Sequence, residues 1–183
     1  MNAQRGPVHR IIVNATSPDL AERLERVGPV KRALGTVLED WGIAPRAVRL
    51  DILTVVHELV VNAVRHAPPG WLQAALRLSP DGHRLVVEVH DPDHRVPAIG
   101  TAAFANAHAE SGRGLLMVAA LSQRWGAQRT TSGKRVWAEL ALPAAPPVPE
   151  LSRAVGRVQI ITDVVSASRV LAPTFSTTSP HLN

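Results

Sequence analysis

Two alternating stretches joined by a tight turn constrain this chain most. In "WLQAALRLS" (71–79), Leu72, Ala74, Leu76 and Leu78 take every second position; in "RLVVEVHD" (84–91), Leu85, Val87 and Val89 do the same. Period-two alternation puts such residues on one face of a strand. Asp81-Gly82 between the stretches is a hairpin signal. A third stretch, "KRVWAELAL" (134–142), repeats the pattern with Val136, Ala138, Leu140 and Leu142. A sheet of such strands is apolar on one side only, and that side has to be covered.

The cover is legible too. Val30, Ala33, Leu34, Val37, Leu38 and Trp41 recur at the spacing of one helix face, and Gly42 ends the run. Pro45 suits the first turn of a second helix, which is expected to reach about His66 before Pro68-Pro69-Gly70 stops it. "GLLMVAALS" (114–122) reads as a third helix, "HRIIVNAT" (9–16) as an edge strand, and a short strand is expected around 127–131. Hairpin-linked strands with helices elsewhere predict an α+β sandwich, its helices on one sheet face.

The 183 residues, 45% hydrophobic, suffice for one domain with a real core. "PAAPPVPE" (143–150) reads as a Pro-rich linker, so the domain is expected to span 1–142. The stretch 151–173 leaves a short strand and a marginal helix both open, and "TFSTTSPHLN" (174–183) reads as a poorly structured tail. There is no cysteine, which excludes disulfides and thiolate metal sites. No secretory leader and no apolar run of the ~20 residues a membrane helix needs is found. The expectation is a soluble, cytoplasmic protein. The net charge is +5, but the arginines are scattered, tyrosine is absent and only two phenylalanines occur. That is the wrong composition for a base-stacking, phosphate-tracking surface, so direct nucleic-acid binding is not expected.

Three features carry candidate chemistry. In "HELVVNAVRHA" (57–67), Glu58 and Asn62 lie four apart on one helix face with Asp51, Thr54 and Arg65. A solvated polar face is the ordinary meaning of that pattern. A zincin-type site is rejected by spacing, because Val61 stands where the second histidine belongs and His66 falls on another side. Oxygen ligation of Mg²⁺ stays open, through the Asn62 carbonyl and the Glu58 carboxylate. Asp91 falls by alternation on the buried side of its strand, where a carboxylate needs a donor. That donor is either a group of the protein or a ligand amine. In "ESGRGLLMVAALS" (110–122), Gly112 and Gly114 flank Arg113 at a helix entry. Glycines permit close backbone approach, and a helix N-terminus favours anions. A tight helix-entry loop without any ligand would look the same. The stretch is neither a P-loop nor a dinucleotide fingerprint.

In order, "HELVVNAVRHA", "VEVHDPD", "ESGRGLLMVAALSQRWG" and "GKRVWAEL" resemble the GHKL ATPase superfamily, over roughly residues 27–142. Within it the chain resembles the bacterial anti-sigma factor serine/threonine kinases. The resemblance implies a Bergerat-type two-layer α/β sandwich with a mixed, mainly antiparallel sheet, and ATP with Mg²⁺ as cofactors. It implies Asn62 as the Mg²⁺ ligand, Glu58 as general base or orienter of the accepting hydroxyl, and Asp91 as acceptor from adenine N6. It implies Gly112, Arg113 and Gly114 at the phosphates. The partners it implies are a sigma factor and an anti-sigma antagonist, and it leads one to expect a homodimer. A catalytically weak nucleotide-sensing or partner-binding module of the same fold is the alternative. Two departures mark this chain: Pro92, Asp93 and His94 follow Asp91 where glycines are common, and Lys134 follows Gly133 where a threonine is common.

Overall fold

The alternating stretches become neighbouring strands in the computed structural model, which describes residues 6–97, 113–143 and 157–161. In chain order the elements are β1 (Val8–Ala15), α1 (Leu20–Glu25), α2 (Val27–Asp40), α3 (Arg46–His66), β2 (Gly70–Leu78), β3 (Arg84–Asp91), α4 (Arg113–Leu121), β4 (Arg124–Thr130), β5 (Gly133–Ala141) and β6 (Arg157–Ile161). The strands form a six-stranded sheet in the order β4-β5-β3-β2-β1-β6. All neighbours are antiparallel except β1 and β6. This is an α+β sandwich with a mixed, mainly antiparallel sheet, as expected.

Register explains which side chains meet. Val87 lies between Leu76 and Ala138, and Val89 between Ala74 and Val136. These six residues are buried, so one face of the sheet is continuous apolar surface. Helix α3 covers it with Ile52, Val55, Val56, Leu59, Val60, Ala63 and Val64, and α2 adds Val30, Leu34, Val37 and Leu38. Full burial of each large aliphatic side chain contributes about 1.5–3 kcal/mol, so this layer is the main source of stability. Gly35 of α2 faces α3: a Cβ there would sit 3.6 Å from Leu53 Cδ1, an ordinary contact.

The turns follow local chemistry. Gly42 ends the α2 region at φ +70°, and Gly82 closes the β2–β3 hairpin at the same angle; both are left-handed conformations that favour glycine. Pro45 is the cap preceding α3 rather than its first residue, and its φ of −67° fits that place. Arg49 Nη1 donates back to the carbonyls of Ile43 and Ala44, at 2.7 and 2.9 Å, and fastens the approach to the helix. On the opposite face of the sheet, Glu88 is buried beside Arg77, His90 and Arg135. His90 first, then the two guanidiniums, hold its carboxyl below the usual range against the opposing effect of burial.

Two expectations change. Strand β1 is not an edge: β2 pairs on one side and β6 on the other, Ile11 facing both Ala74 and Gln159. The reason lies in the segment 151–173, where strand and helix were both open; Arg157–Ile161 is a strand, and it takes the free edge of β1. Strand β4 begins at Arg124, earlier than expected, because Gly126 allows Trp137 of β5 to lie against its backbone, Cζ2 being 3.0 Å from where a Cβ would stand. The Pro-rich stretch and the final tail lie outside the described residues, apart from Pro143. No helix among the described residues is long and apolar enough to cross a membrane.

Candidate functional site

The candidate residues form two groups, one at the C-terminal end of β3 and the start of β5, the other on α3 and the start of α4, and α3 packs against β3, β5 and α4. Asp91 is the last residue of β3 and faces Lys134 of β5 directly across the ladder. Their side chains are 1% and 3% exposed, and Lys134 Nζ donates to Asp91 Oδ1 at 2.9 Å. The same ammonium donates to Asp93 Oδ2 at 3.1 Å. One buried cation therefore bridges two carboxylates.

The loop leaving β3 is shaped by those carboxylates. The backbone N–H of Asp93 donates to Asp91 Oδ1 (2.9 Å), and that of Arg95 donates to Asp93 Oδ1 (3.1 Å). These are successive side-chain-to-backbone turns of the kind aspartate forms readily. Arg95 Nε adds a bond to Asp93 Oδ1 at 3.0 Å, and Nη2 reaches the carbonyl of His66 at 3.2 Å. The loop is thus tied both to β5 and to the C-terminal end of α3. Gly133 makes the tie possible: at φ +146° it lies so close to the strand end that a Cβ would meet the Asp91 carbonyl oxygen and stand 2.7 Å from Pro92 Cα.

The two carboxylates are driven in opposite directions. Burial pushes the Asp91 carboxyl above its usual range, and the Lys134 ammonium and the Asp93 N–H oppose it without cancelling it. At Asp93 burial acts the same way but loses to the Arg95 N–H, the Arg95 guanidinium and Lys134, so that carboxyl sits well below its ordinary value. Asp91 keeps one atom uncommitted. Its Oδ2 is buried and has no hydrogen-bond partner among the described residues. An orphaned carboxylate oxygen in a buried place is costly unless a donor arrives. An exocyclic amine of a bound base supplies such a donor, so this residue fits the base-binding role.

Glu58 and Asn62 lie one turn apart on α3, both half-buried, while His57 and His66 are exposed. Neither Glu58 nor Asn62 has a side-chain hydrogen bond or ion pair among the described residues. Helix α4 delivers Gly114 to the glutamate: a Cβ on Gly114 would meet Glu58 Oε2 and stand 3.4 Å from Cδ. Any larger residue would displace the carboxylate. Arg113 is exposed at the first described turn of α4, and Gly112 lies outside the described residues. Among the described residues no group of three or more His, Asp or Glu side chains could hold a metal ion. A divalent cation here would take the Asn62 oxygen together with waters and ligand phosphates, the usual manner for Mg²⁺.

Asp91, Glu58, Asn62 and Gly114 were visible in the sequence; Lys134, Asp93 and Arg95 were not assigned roles. The signal for Lys134 was present. It stands two residues before Val136, so the alternation that turns Val136, Ala138 and Leu140 inward turns Lys134 inward as well. A buried lysine needs a carboxylate, and the D-x-D spacing of Asp91 and Asp93 offered two.

The model of the histidine kinase-like ATPase domain matches residues 20–140. That span runs from α1 to β5 and holds every residue of the site. Among curated proteins none matches the chain.

Proposed function

The chain belongs to the histidine kinase-like ATPase domain family, and from that premise we propose that it is an ATP-dependent protein serine/threonine kinase that regulates transcription. In this reading it sequesters a sigma factor and phosphorylates an anti-sigma antagonist. The observation that carries the nucleotide part is Asp91 Oδ2, a buried acceptor at the strand end without a donor among the described residues. The likeness of the ordered motifs to anti-sigma factor kinases supports the finer part.

Bound Mg-ATP supplies the phosphoryl group. Asp91 accepts from the exocyclic amine of adenine through Oδ2 and thereby selects the base. Asn62 gives its carbonyl oxygen to the Mg²⁺. Glu58 has no side-chain partner among the described residues and takes the proton of the accepting serine or threonine hydroxyl, or orients that hydroxyl. Gly112 and Gly114 let the chain close over the phosphates, and Arg113 offers a cation beside them. Phosphoryl transfer depends mostly on positioning and electrostatics, so a few well-placed groups suffice.

The test is transfer of the γ-phosphoryl group from Mg-ATP to anti-sigma antagonist proteins by wild type and Glu58→Ala. The reading predicts phosphorylated antagonist with wild type and a loss of about a hundredfold or more with Glu58→Ala, in the range for a positioned general base. Transfer at equal rates would remove Glu58 from the chemistry. ATP binding by wild type with no transfer to any antagonist would leave a nucleotide-sensing module in place of a kinase.

A further inference from the structure

The buried cluster of Asp91, Lys134 and Asp93 has a feature that base binding alone does not require. An acceptor for an exocyclic amine has to be ionised and has to show an oxygen to the ligand. Asp91 sits in a place that works against the first condition, because its side chain is buried and the helix above the sheet is apolar on the side it turns inward. On that side α3 turns the buried Val60, Ala63 and Val64 toward the sheet. Among the described residues the charged groups around it come from two elements: Lys134 from β5, and Asp93 with its partner Arg95 from the following loop. Asp93 is itself an anion and opposes ionisation of Asp91, while Arg95 is spent on Asp93 and the His66 carbonyl. Among the described residues Lys134 is thus the one cation that touches Asp91.

We propose that Lys134 is a positioning residue for base selection: it holds Asp91 in the ionised form, occupies Oδ1, and leaves Oδ2 as the single acceptor for a 6-amino purine. The inference rests on the nucleotide reading above. A merely structural lysine would fix the loop without affecting which base is bound. Here the ammonium has a chemical consequence as well. Without it, burial is countered at Asp91 only by the Asp93 N–H, and the carboxyl is pushed further above its ordinary range, toward the protonated form. A protonated carboxyl has one hydroxyl donor and one carbonyl acceptor, and it no longer distinguishes an amino group from an oxo group at the purine 6-position. Ionised, it repels a 6-oxo group and accepts from a 6-amino group.

The experiment measures Kd for ATP and for inosine triphosphate, which carries oxygen in place of the amine. The full-length protein is used, as wild type, Lys134→Met and Lys134→Gln, by titration calorimetry from about pH 6 to about pH 9. Wild type is expected to prefer ATP by about tenfold or more, the usual weight of a hydrogen bond to a charged acceptor, with little change above about pH 7. In both variants ATP affinity is expected to fall about tenfold at neutral pH and to recover as pH rises, while inosine triphosphate affinity at neutral pH does not fall. Variants that keep the wild-type preference and pH profile would overturn the proposal. So would unfolding of both, read as collapsed melting transitions, since that assigns Lys134 to the fold. If wild type binds neither nucleotide, the nucleotide reading itself fails, and this inference fails with it.

Discussion

Gly114→Ala separates the roles of fold and site most cleanly. The new Cβ would meet Glu58 Oε2 inside normal contact distance, with Cδ at 3.4 Å and Cβ at 3.8 Å. What it meets is the far end of a flexible side chain, not backbone, so the fold can yield. Replacing glycine by alanine in a compatible helical conformation gains about 0.4–1 kcal/mol, and turning Glu58 off its rotamer costs about 0.5–1.5 kcal/mol. These nearly cancel. At 2–4 °C per kcal/mol for a chain of this size, Tm should move by no more than about 4 °C. The carboxylate, however, has to shift by roughly 1 Å, and a misplacement of that size in a catalytic group costs about a hundredfold, or ~2.7 kcal/mol of barrier. The assays are calorimetric Tm, ATP affinity by titration, and single-turnover transfer to the antagonist. The expected result is a Tm within about 4 °C of wild type and, with ATP saturating, transfer slowed about a hundredfold. Transfer at the wild-type rate would refute the placement of Glu58 at the reacting hydroxyl. A Tm drop beyond about 10 °C would show that Gly114 serves packing instead.

Two further outcomes follow from the loop that carries Asp91. Gly133→Ala forces a side chain into φ +146° and against the Asp91 carbonyl oxygen and Pro92; backbone neighbours cannot rotate away. It should cost about 1–3 kcal/mol from strain alone, lowering Tm by roughly 2–12 °C, and an unchanged Tm would contradict the geometry. Asp93 carries a depressed pKa, so its contribution to stability is complete above its ordinary value of 3.8 and is lost as pH falls through that region toward the folded value. Glu88 is depressed too and acts with the same sign. Urea unfolding at about pH 6 and about pH 3 should therefore show a smaller loss on acidification in Asp93→Asn than in wild type; equal losses would mean that the Arg95 and Lys134 contacts do not act on Asp93.

What the sequence revealed and what it hid divide along one physical line. Local chemistry was legible: the alternation of β2, β3 and β5, the apolar stripe of α3, and the turns at Gly42 and Gly82. Each depends on a few neighbouring residues. Pairing was not legible, because period two says which way a side chain points and not which strand lies beside it. For that reason β1 looked like an edge, when Arg157–Ile161 returns from far along the chain to pair with it. The same limit applied at the site. Asp91 was recognised as a buried carboxylate in need of a donor, but its partner sits across the β3–β5 ladder, so Lys134 was noticed only as a departure from a common threonine. Glu58 and Gly114 were each singled out, yet their contact depends on how α4 docks against α3. Gly112 falls outside the described residues.

The measurement closest to the central claim is the thermal midpoint of wild type and Asp91→Asn with and without Mg-ATP. A ligand that binds only the native state at a hundred times its Kd stabilises it by about 2.7 kcal/mol, which is roughly 5–10 °C for this chain length. The account predicts a rise of that size in wild type and its loss in Asp91→Asn, each compared with its own ligand-free midpoint. A wild-type midpoint that Mg-ATP leaves unmoved at millimolar concentration, or a rise that Asp91→Asn fully retains, would contradict it.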